Sequence, residues 1–305
     1  MWPTREKRRQ EIINSLRRHS AKVRVLPGIE HPTALETLAT QFIASERRED
    51  YYRLVQVRPI SVHRADPNNA GFDAERAVAY HMQNGDPEEA AWLVFLMTHF
   101  AKPADSGWLR LRDVYGQLGT GIWDWKTVSA DPEAFIDWLE GNWQAIRGKF
   151  GNHRKYESLS PGAKRSFRHL VTDYFEWIGG AGHTRFFADA TKAAGNDPGI
   201  IFDALYKDMK VLSFGRLAKF DYLALIGRYG IAPIHAGLAY FDGATGPARG
   251  AKLLFDGNPE SGTSNNQLQQ YVDALDRDIN VGMQVMEDAL CNWQKSPDLF
   301  VHFKG

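Results

Sequence analysis

The sequence predicts an all-α protein of about ten helices, and three observations lead there. Apolar residues recur every three or four positions in segment after segment, which places them on one face of a helix with 3.6 residues per turn. Those segments tend to open near Asp, Ser or Thr and to close at Gly, the residues that satisfy helix ends. Period-two alternation is nearly absent; "RLVQVRPISV", residues 53–62, is the best strand candidate and it is short.

The elements follow in order. Residues 5–24 hold eight Lys/Arg against two Glu, with Ile12, Ile13 and Leu16 at helical spacing. This is either a basic helix lying against the body or an arm that faces nucleic acid. In residues 26–56, Leu35, Leu38, Phe42 and Ile43 mark a second helix with Thr33 as a plausible cap. Residues 65–102 contain two more, with Asp73 and Asp86 as start signals and Pro87 suited to the first helical position. The second of these buries Trp92, Leu93, Phe95, Leu96 and Phe100. Phe135, Trp138, Leu139, Trp143 and Ile146 form the next stripe, and Phe167, Leu170, Val171, Tyr174, Phe175 and Ile178 another, stopped by Gly179–Gly180. "FGRLAKFDYLALIGRYG" is a helix ending at Gly230, and one long helix runs from Leu268 through Tyr271, Leu275, Ile279, Met286 and Leu290 to Trp293. There is no internal repeat and no low-complexity linker. The expected organisation is a basic N-terminal helix, residues 1–25, and a single helical domain, residues 26–305, with a possible two-lobed seam in the Gly-rich stretch near 180–200.

Composition narrows the function classes. Hydrophobic content of 43 % and charged content of 24 % are ordinary for a soluble globular chain, but nine Trp, eleven Tyr and seventeen Phe are a heavy aromatic load. Aromatics fill cores, and they also stack bases and line pockets. The formal charge is zero, so the molecule is not a generic polycation, and contact with nucleic acid needs a local patch. The single cysteine, Cys291, excludes an intrachain disulfide. The N-terminus lacks a continuous apolar signal core, and no window approaches the roughly 20 apolar residues of a membrane span. The expected setting is cytoplasmic, away from membranes.

The densest local charge is "RGKFGNHRKYESL", residues 147–159: Arg147, Lys149, Arg154 and Lys155, with His153 and Tyr156, against Glu157 alone. Cations in the last turn of a helix are favoured by its dipole, which accounts for Arg147 and Lys149. Lys164, Arg165 and Arg168 follow, making seven Lys/Arg and one acid between 147 and 168. Arginine forks grip phosphate bidentately and lysines act as point charges, so a phosphate-rich ligand is one reading and an ordinary charged surface the other. His99 ends an aromatic-rich helix near Lys102, Trp108 and Tyr115; it is either a core histidine or a proton-transfer group. "SFGRLAKFDYL" sets Phe214, Arg216 and Asp221 close in sequence. "DGATGPARGAKLLFDG" offers Lys252 and backbone N–H groups to an anion, or is simply a Gly-rich helix start; it is no Walker loop. Asp273, Asp276, Glu287 and Asp288 are acids on a long helix, and the ten histidines are scattered, so no zinc site and no cofactor are expected.

"LPGIEHPTA", residues 26–34, is similar to the helix-hairpin-helix element of DNA glycosylases, L-P-G-V-G-x-x-T-A, in which backbone amides hold a DNA phosphate; Glu30 stands where that pattern has its second glycine. Together "HRADPNNAGFD", "EEAAWLVFLMTHFAK", "GKFGNHRKYESL", "FGRLAKFDYL" and "VMEDALCNW" resemble the alpha-glutamyl/putrescinyl thymine pyrophosphorylase family, clade 3, over roughly residues 26–295. The resemblance implies a multi-helical fold related to DNA glycosylases and a role in thymine hypermodification of DNA, notably in phages. It also implies a reaction in which an amine (an amino acid or a polyamine such as putrescine) displaces pyrophosphate from pyrophosphorylated 5-hydroxymethyluracil. The implied partners are DNA carrying a modified thymine or uracil base and a small amine donor. That chemistry needs cations for the leaving group, a proton acceptor for the amine and an aromatic pocket for the base. Arg147, Lys149, Arg154 and Lys155, with Arg216 in reserve and Lys252 as a further phosphate contact, are candidates for the first. His153 or His99, helped by Asp221, are candidates for the second, and Trp108, Tyr156 and Phe214 for the third. Two other classes stay open: glycosylase-like cleavage of an N-glycosidic bond, and a non-catalytic DNA-binding module in a phage or defence setting.

Overall fold

The computed structural model describes residues 2–302, whose regular structure is all helix, with no strand among them. Fourteen α-helices appear there, joined by short 3-10 turns. The number exceeds the expected ten because pieces such as α5 (Leu109–Tyr115) and α6 (Trp125–Ala130) are too short to carry a full amphipathic period. The strand candidate is also resolved differently. Residues 53–57 are the last turns of helix α2 (Pro32–Val57), and the helix stops two residues before Pro59, whose ring disfavours helical geometry in the residue before it. The C-terminal stripe is two helices rather than one, α13 (Asn265–Ile279) and α14 (Met283–Trp293), parted where Asn280 and Gly282 take positive φ.

The chain forms two compact units, one of residues up to Tyr51 and from Ala236 onward, the other Tyr52–His235. In the first, α1 (Glu6–Lys22) buries Ile12, Ile13 and Leu16, and it packs against α13. Its cations are largely occupied: Arg5 pairs with Asp50, Arg8 with Glu46 at 2.7 Å and with the Ile279 and Asn280 carbonyls, and Arg9 with Glu6 and Glu36. The basic helix is therefore tied down by acids of its own unit. Helix α12 (Gly246–Asp256) explains the Gly-rich segment before Lys252. A methyl at Gly250 would sit 2.2 Å from the Leu290 carbonyl oxygen, and one at Gly246 would meet the Cys291 sulfur at 2.6 Å. These glycines let α12 approach α14 backbone to backbone, and Gly28 of the "LPGI" turn does the same against Leu253. The acids of α13 and α14 have protein partners: Asp276 caps the Val281 and Gly282 N–H groups, and Asp288 binds Arg48.

The second unit holds the end of α2, then α3 (Ala74–Gln83), α4 (Pro87–Phe100), α5, α6, α7 (Pro132–Asn142), α8 (Phe167–Ile178), α9 (Gly182–Ala194), α10 (Pro198–Asp208) and α11 (Arg216–Arg228). Asp73 and Asp86 cap α3 and α4 by accepting from the Arg76 and Glu89 N–H groups, as their sequence positions predict. Every residue of α4 from Glu89 to Phe100 is buried. Much of the aromatic load is spent here: Phe95 stacks on Tyr174 at 3.8 Å between centroids, on Trp92 at 5.3 Å and on Phe214 at 5.6 Å. One polar chain crosses this core. Glu88 accepts from the His183 ring at 3.0 Å, Tyr174 meets the other His183 nitrogen at 2.6 Å, and Tyr222 meets Tyr174 at 3.0 Å. Residues 180–200 are the turn into α9, α9 itself and the start of α10. Among the described residues no helix is long and apolar enough to cross a membrane.

Candidate functional site

Sequence reasoning placed the functional cations around residues 147–155, and the structure separates them. Arg154 alone turns inward, with a side chain 7 % exposed, while its neighbours His153 and Lys155 are exposed. A 3-10 turn over Asn152–Arg154 produces this split. It begins at Gly151, whose N–H donates to the Phe100 carbonyl at 2.9 Å and whose Cα lies so close to Ala101 that a methyl would meet the Ala101 Cβ at 2.6 Å. The chain is thus pinned against the end of α4, and Arg154 is delivered to His99.

The contacts of the Arg154 guanidinium define the site. Its Nε donates to the His99 carbonyl at 3.2 Å, Nη1 to the Ser213 carbonyl at 2.6 Å and Nη2 to His99 Nδ1 at 3.2 Å. Glu157 Oε1 lies 3.9 Å from Nη2, and the guanidinium carbon stands 5.2 Å over the Phe214 ring. Burial pushes the Arg154 pKa down, Glu157 pulls it back, Arg165 lowers it and Asp221 raises it. An arginine stays charged through such shifts, so it can only donate. His99 Nδ1 must therefore accept, and the proton of the neutral ring sits on Nε2. Burial first, and then the charges of Arg154 and Arg110, hold the His99 pKa well below its usual value, so the ring is neutral at pH 7. In this arrangement His99 is a hydrogen-bond donor through Nε2, a role different from the proton acceptor considered above.

Polar contacts continue outward. Glu157, its side chain 4 % exposed, is 3.5 Å from Arg165, and Arg165 lines a surface cavity of about 420 Å³ with Tyr156, Ser158, Ala163 and Lys164. Tyr156 is 77 % exposed with the Lys155 ammonium 5.1 Å from its ring centre, an aromatic platform beside cations of the kind that stacks bases and tracks a phosphate backbone. A continuous polar path therefore joins the cavity wall to His99 through Glu157 and Arg154. Backbone strain lies along it: Ser213 has φ 64°, and Ala101 has φ 48° with ψ 167°, close to a region that is nearly reserved for glycine. Such conformations cost roughly 1–3 kcal/mol each and persist where the surroundings over-determine them.

The other candidates are placed as follows. Arg147 is held by Asp113, which accepts from its backbone N–H and from two guanidinium nitrogens, and Lys149 pairs with Asp105 at 2.9 Å. Arg168 is shared by Glu133, Asp137 and Glu140 of α7. Three of the seven cations are thus neutralised by acids distant in sequence. Arg216 starts α11 over Phe220, and Asp221 lies one turn further, half-buried, where its charge acts on Arg154. Phe214 is buried between Phe95 and Arg154. Trp108 caps α5 with Lys102 5.3 Å from its ring centre, and its Nε1 is buried without a partner. Lys252 belongs to the first unit, on α12. Sequence reasoning missed Ser213, which carries no motif, and treated Glu157 as a mere counter-charge. A second, largely apolar cavity of about 590 Å³ in the same unit is lined by Ile178, Phe186, Ala190, Leu205 and Asp208, none of them a sequence candidate. Among the described residues no group of three or more His, Cys, Asp or Glu is placed to hold a metal ion.

No curated protein and no solved structure matches the chain. The family model for alpha-glutamyl/putrescinyl thymine pyrophosphorylase clade 3 does match, over residues 33–305. That span covers the second unit, the first unit from residue 33 on and every candidate side chain of the site. Its name denotes pyrophosphorylase-type chemistry in thymine hypermodification. The chain belongs to the alpha-glutamyl/putrescinyl thymine pyrophosphorylase family, clade 3.

Proposed function

We propose that the protein modifies a thymine-derived base in DNA by letting a small amine displace pyrophosphate from pyrophosphorylated 5-hydroxymethyluracil. The observation that carries this reading is the family match across residues 33–305, and the cationic cavity beside an exposed tyrosine supports it. In the reaction the amine nitrogen attacks the methylene carbon on C5. The carbon–oxygen bond breaks, and pyrophosphate leaves with the bonding electrons. The resulting ammonium then loses a proton. Lys164 and Arg165 at the cavity, with exposed Lys155, stabilise the charge gathering on the leaving group. Tyr156 stacks on the DNA. His153, exposed in the turn that carries Arg154, takes the amine proton, and Asp221 steadies the charge of Arg154. Arg154 positions His99 and does not itself grip the leaving group, because three of its donors are already committed.

The test is mass spectrometry of nucleosides from DNA bearing the pyrophosphorylated base, incubated with the protein and a panel of amino acids and polyamines. A heavier intact nucleoside and released pyrophosphate are expected. Lys164→Ala combined with Arg165→Ala should slow both by about a hundredfold or more, the scale of one lost charge-stabilising contact. An abasic site would instead establish glycosylase chemistry. Bound but unaltered DNA with every amine would leave only a binding module.

A further inference from the structure

Of the thirteen residues of α9, only Gly182, His183 and Phe187 are buried. Two glycines with positive φ bracket the helix, Gly179 at 75° and Gly195 at 82°, and glycine enters and leaves such geometry without strain. The N-cap residue Ala181 makes no side-chain bond. Glu88 of α4 stands in for it, accepting from the His183 and Thr184 N–H groups at 2.8 Å each. Phe186, Ala190 and Ala193 of α9 form part of the wall of the 590 Å³ cavity, with Ile178 of α8 and Leu205 of α10. A helix with so few buried apolar side chains is of the kind that opens locally, so its fastening decides whether that wall stays in place.

The fastening is a titratable ring. His183 is fully buried, with the Trp125 ring of α6 at 4.1 Å between centroids. Its Nδ1 lies 3.0 Å from Glu88 Oε2 and its Nε2 2.6 Å from the Tyr174 hydroxyl, which is 3.0 Å from the Tyr222 hydroxyl. Burial raises the Glu88 pKa, but the bonds from His183 and Thr184 outweigh it and bring the value to about 2, so this carboxylate only accepts. His183 Nδ1 therefore donates to Glu88, and Nε2 of the neutral ring accepts from Tyr174. Tyr222 then donates to Tyr174, and every hydrogen in the chain has an acceptor. A second proton on the ring ends that match. Nε2 becomes a donor facing Tyr174, and the hydrogens of Nε2, Tyr174 and Tyr222 compete for two contacts deep in the core. Burial accordingly holds the His183 pKa below 6.5 against the pull of Glu88.

We propose that α9 is a hinged flap over the cavity, latched by neutral His183 and released when that ring takes up a proton. The flap is independent of the reaction proposed above. The groups that face His183 are Glu88 from α4, Tyr174 from α8 and, behind it, Tyr222 from α11, with the uncharged Trp125 ring from α6. Helix α10, which also packs on α9, brings Asp208 to the cavity, and Arg185 and Asp189 of α9 pair with each other there at 2.7 Å. An open flap returns the ring to its ordinary pKa near 6.5. The latch is therefore at full strength above that pH and weakens below it, and the ratio of open to latched rises about tenfold between pH 7.5 and pH 5.5.

Hydrogen exchange of the full chain, read by mass spectrometry at pH 7.5 and 5.5 and corrected for the intrinsic rate at each pH, tests the latch. Protection of the α9 amides should fall by about tenfold at the lower pH, while that of α4 and α8 stays level. In His183→Gln, whose amide donates and accepts without titrating, α9 protection should be the same at both pH values. Level protection of α9 in the unmodified protein overturns the latch, whatever the variant does. A fall of the same size in a folded His183→Gln overturns it too, because the titrating group then lies elsewhere. An equal fall in α4 and α8 means that the whole unit loosens, and overturns the flap. If His183→Gln does not fold, nitrogen NMR shifts of labelled histidine rings decide in its place: a proton on His183 Nδ1 at pH 7.5 is expected, and one on Nε2 overturns the chain.

Discussion

Burial raises the pKa of the Glu89 carboxyl from 4.5 to about 7, and that makes the stability of the second unit depend on pH in an unusual direction. Glu89 stands in the first turn of α4, with 4 % of the residue exposed. One oxygen meets the Tyr115 hydroxyl at 2.6 Å, and the other accepts from the Trp125 N–H at 2.5 Å. Burial pushes its pKa up from 4.5 to about 7; the two hydrogen bonds oppose the rise, and Asp124 and Asp86 add to it. Between these two values the folded state holds one proton that the unfolded chain has released, so unfolding becomes easier as pH rises. Each pH unit in the window removes about 1.4 kcal/mol, and by pH 8 the cost reaches about 3 kcal/mol. Glu89→Gln mimics the protonated acid: its amide oxygen accepts from Trp125, and its NH₂ donates to the Tyr115 oxygen. The variant should match the parent protein at pH 5 and exceed it by about 3 kcal/mol at pH 8. Guanidinium chloride unfolding at pH 5, 6, 7 and 8, followed by tryptophan fluorescence, measures the difference. The half-buried His81 and the buried His99 and His183, all with lowered pKa, destabilise both proteins as pH falls below 6.5 and cancel from it. Two stability curves running parallel from pH 5 to 8 would refute the reasoning.

Two glycines test the backbone contacts. Gly250→Ala would ordinarily stabilise a helix interior by about 1 kcal/mol, but here the methyl meets the Leu290 carbonyl, so a net loss of about 2 kcal/mol or more in denaturant unfolding is expected. A gain would mean that α12 and α14 can separate freely. Gly151→Ala forces a methyl against Ala101 and should destabilise by about 1–3 kcal/mol. Denaturant unfolding measures this as well, and an unchanged midpoint would show that the turn carrying Arg154 can shift away from Ala101 at no cost.

What the sequence revealed and what it hid divide along a physical line. Local features were legible. Asp73 and Asp86 do cap α3 and α4, and the stripe from Phe167 to Ile178 is α8. In each case the signal lies within a few residues of the element that it specifies. The family, too, was visible in the sequence. The cation run 147–168 misled in its strength, because charge counted along the chain cannot see acids that fold back onto it. Arg147 meets Asp113 and Lys149 meets Asp105, 34 and 44 residues away, while Arg168 is taken by three acids of α7. The glycines before Lys252 misled for a related reason: their purpose is a neighbour's backbone, a long-range contact without local trace. The partnership of Arg154 with His99, 55 residues apart, is the sharpest case. Both were chosen from sequence as independent candidates, one as an anion ligand and one as a base. Bringing them within 3.2 Å changes the chemistry of each, since the guanidinium fixes the ring's proton on Nε2 and the ring occupies one of the guanidinium's donors. A residue type sets what a side chain can do, but here the partner decides which of those things remains possible.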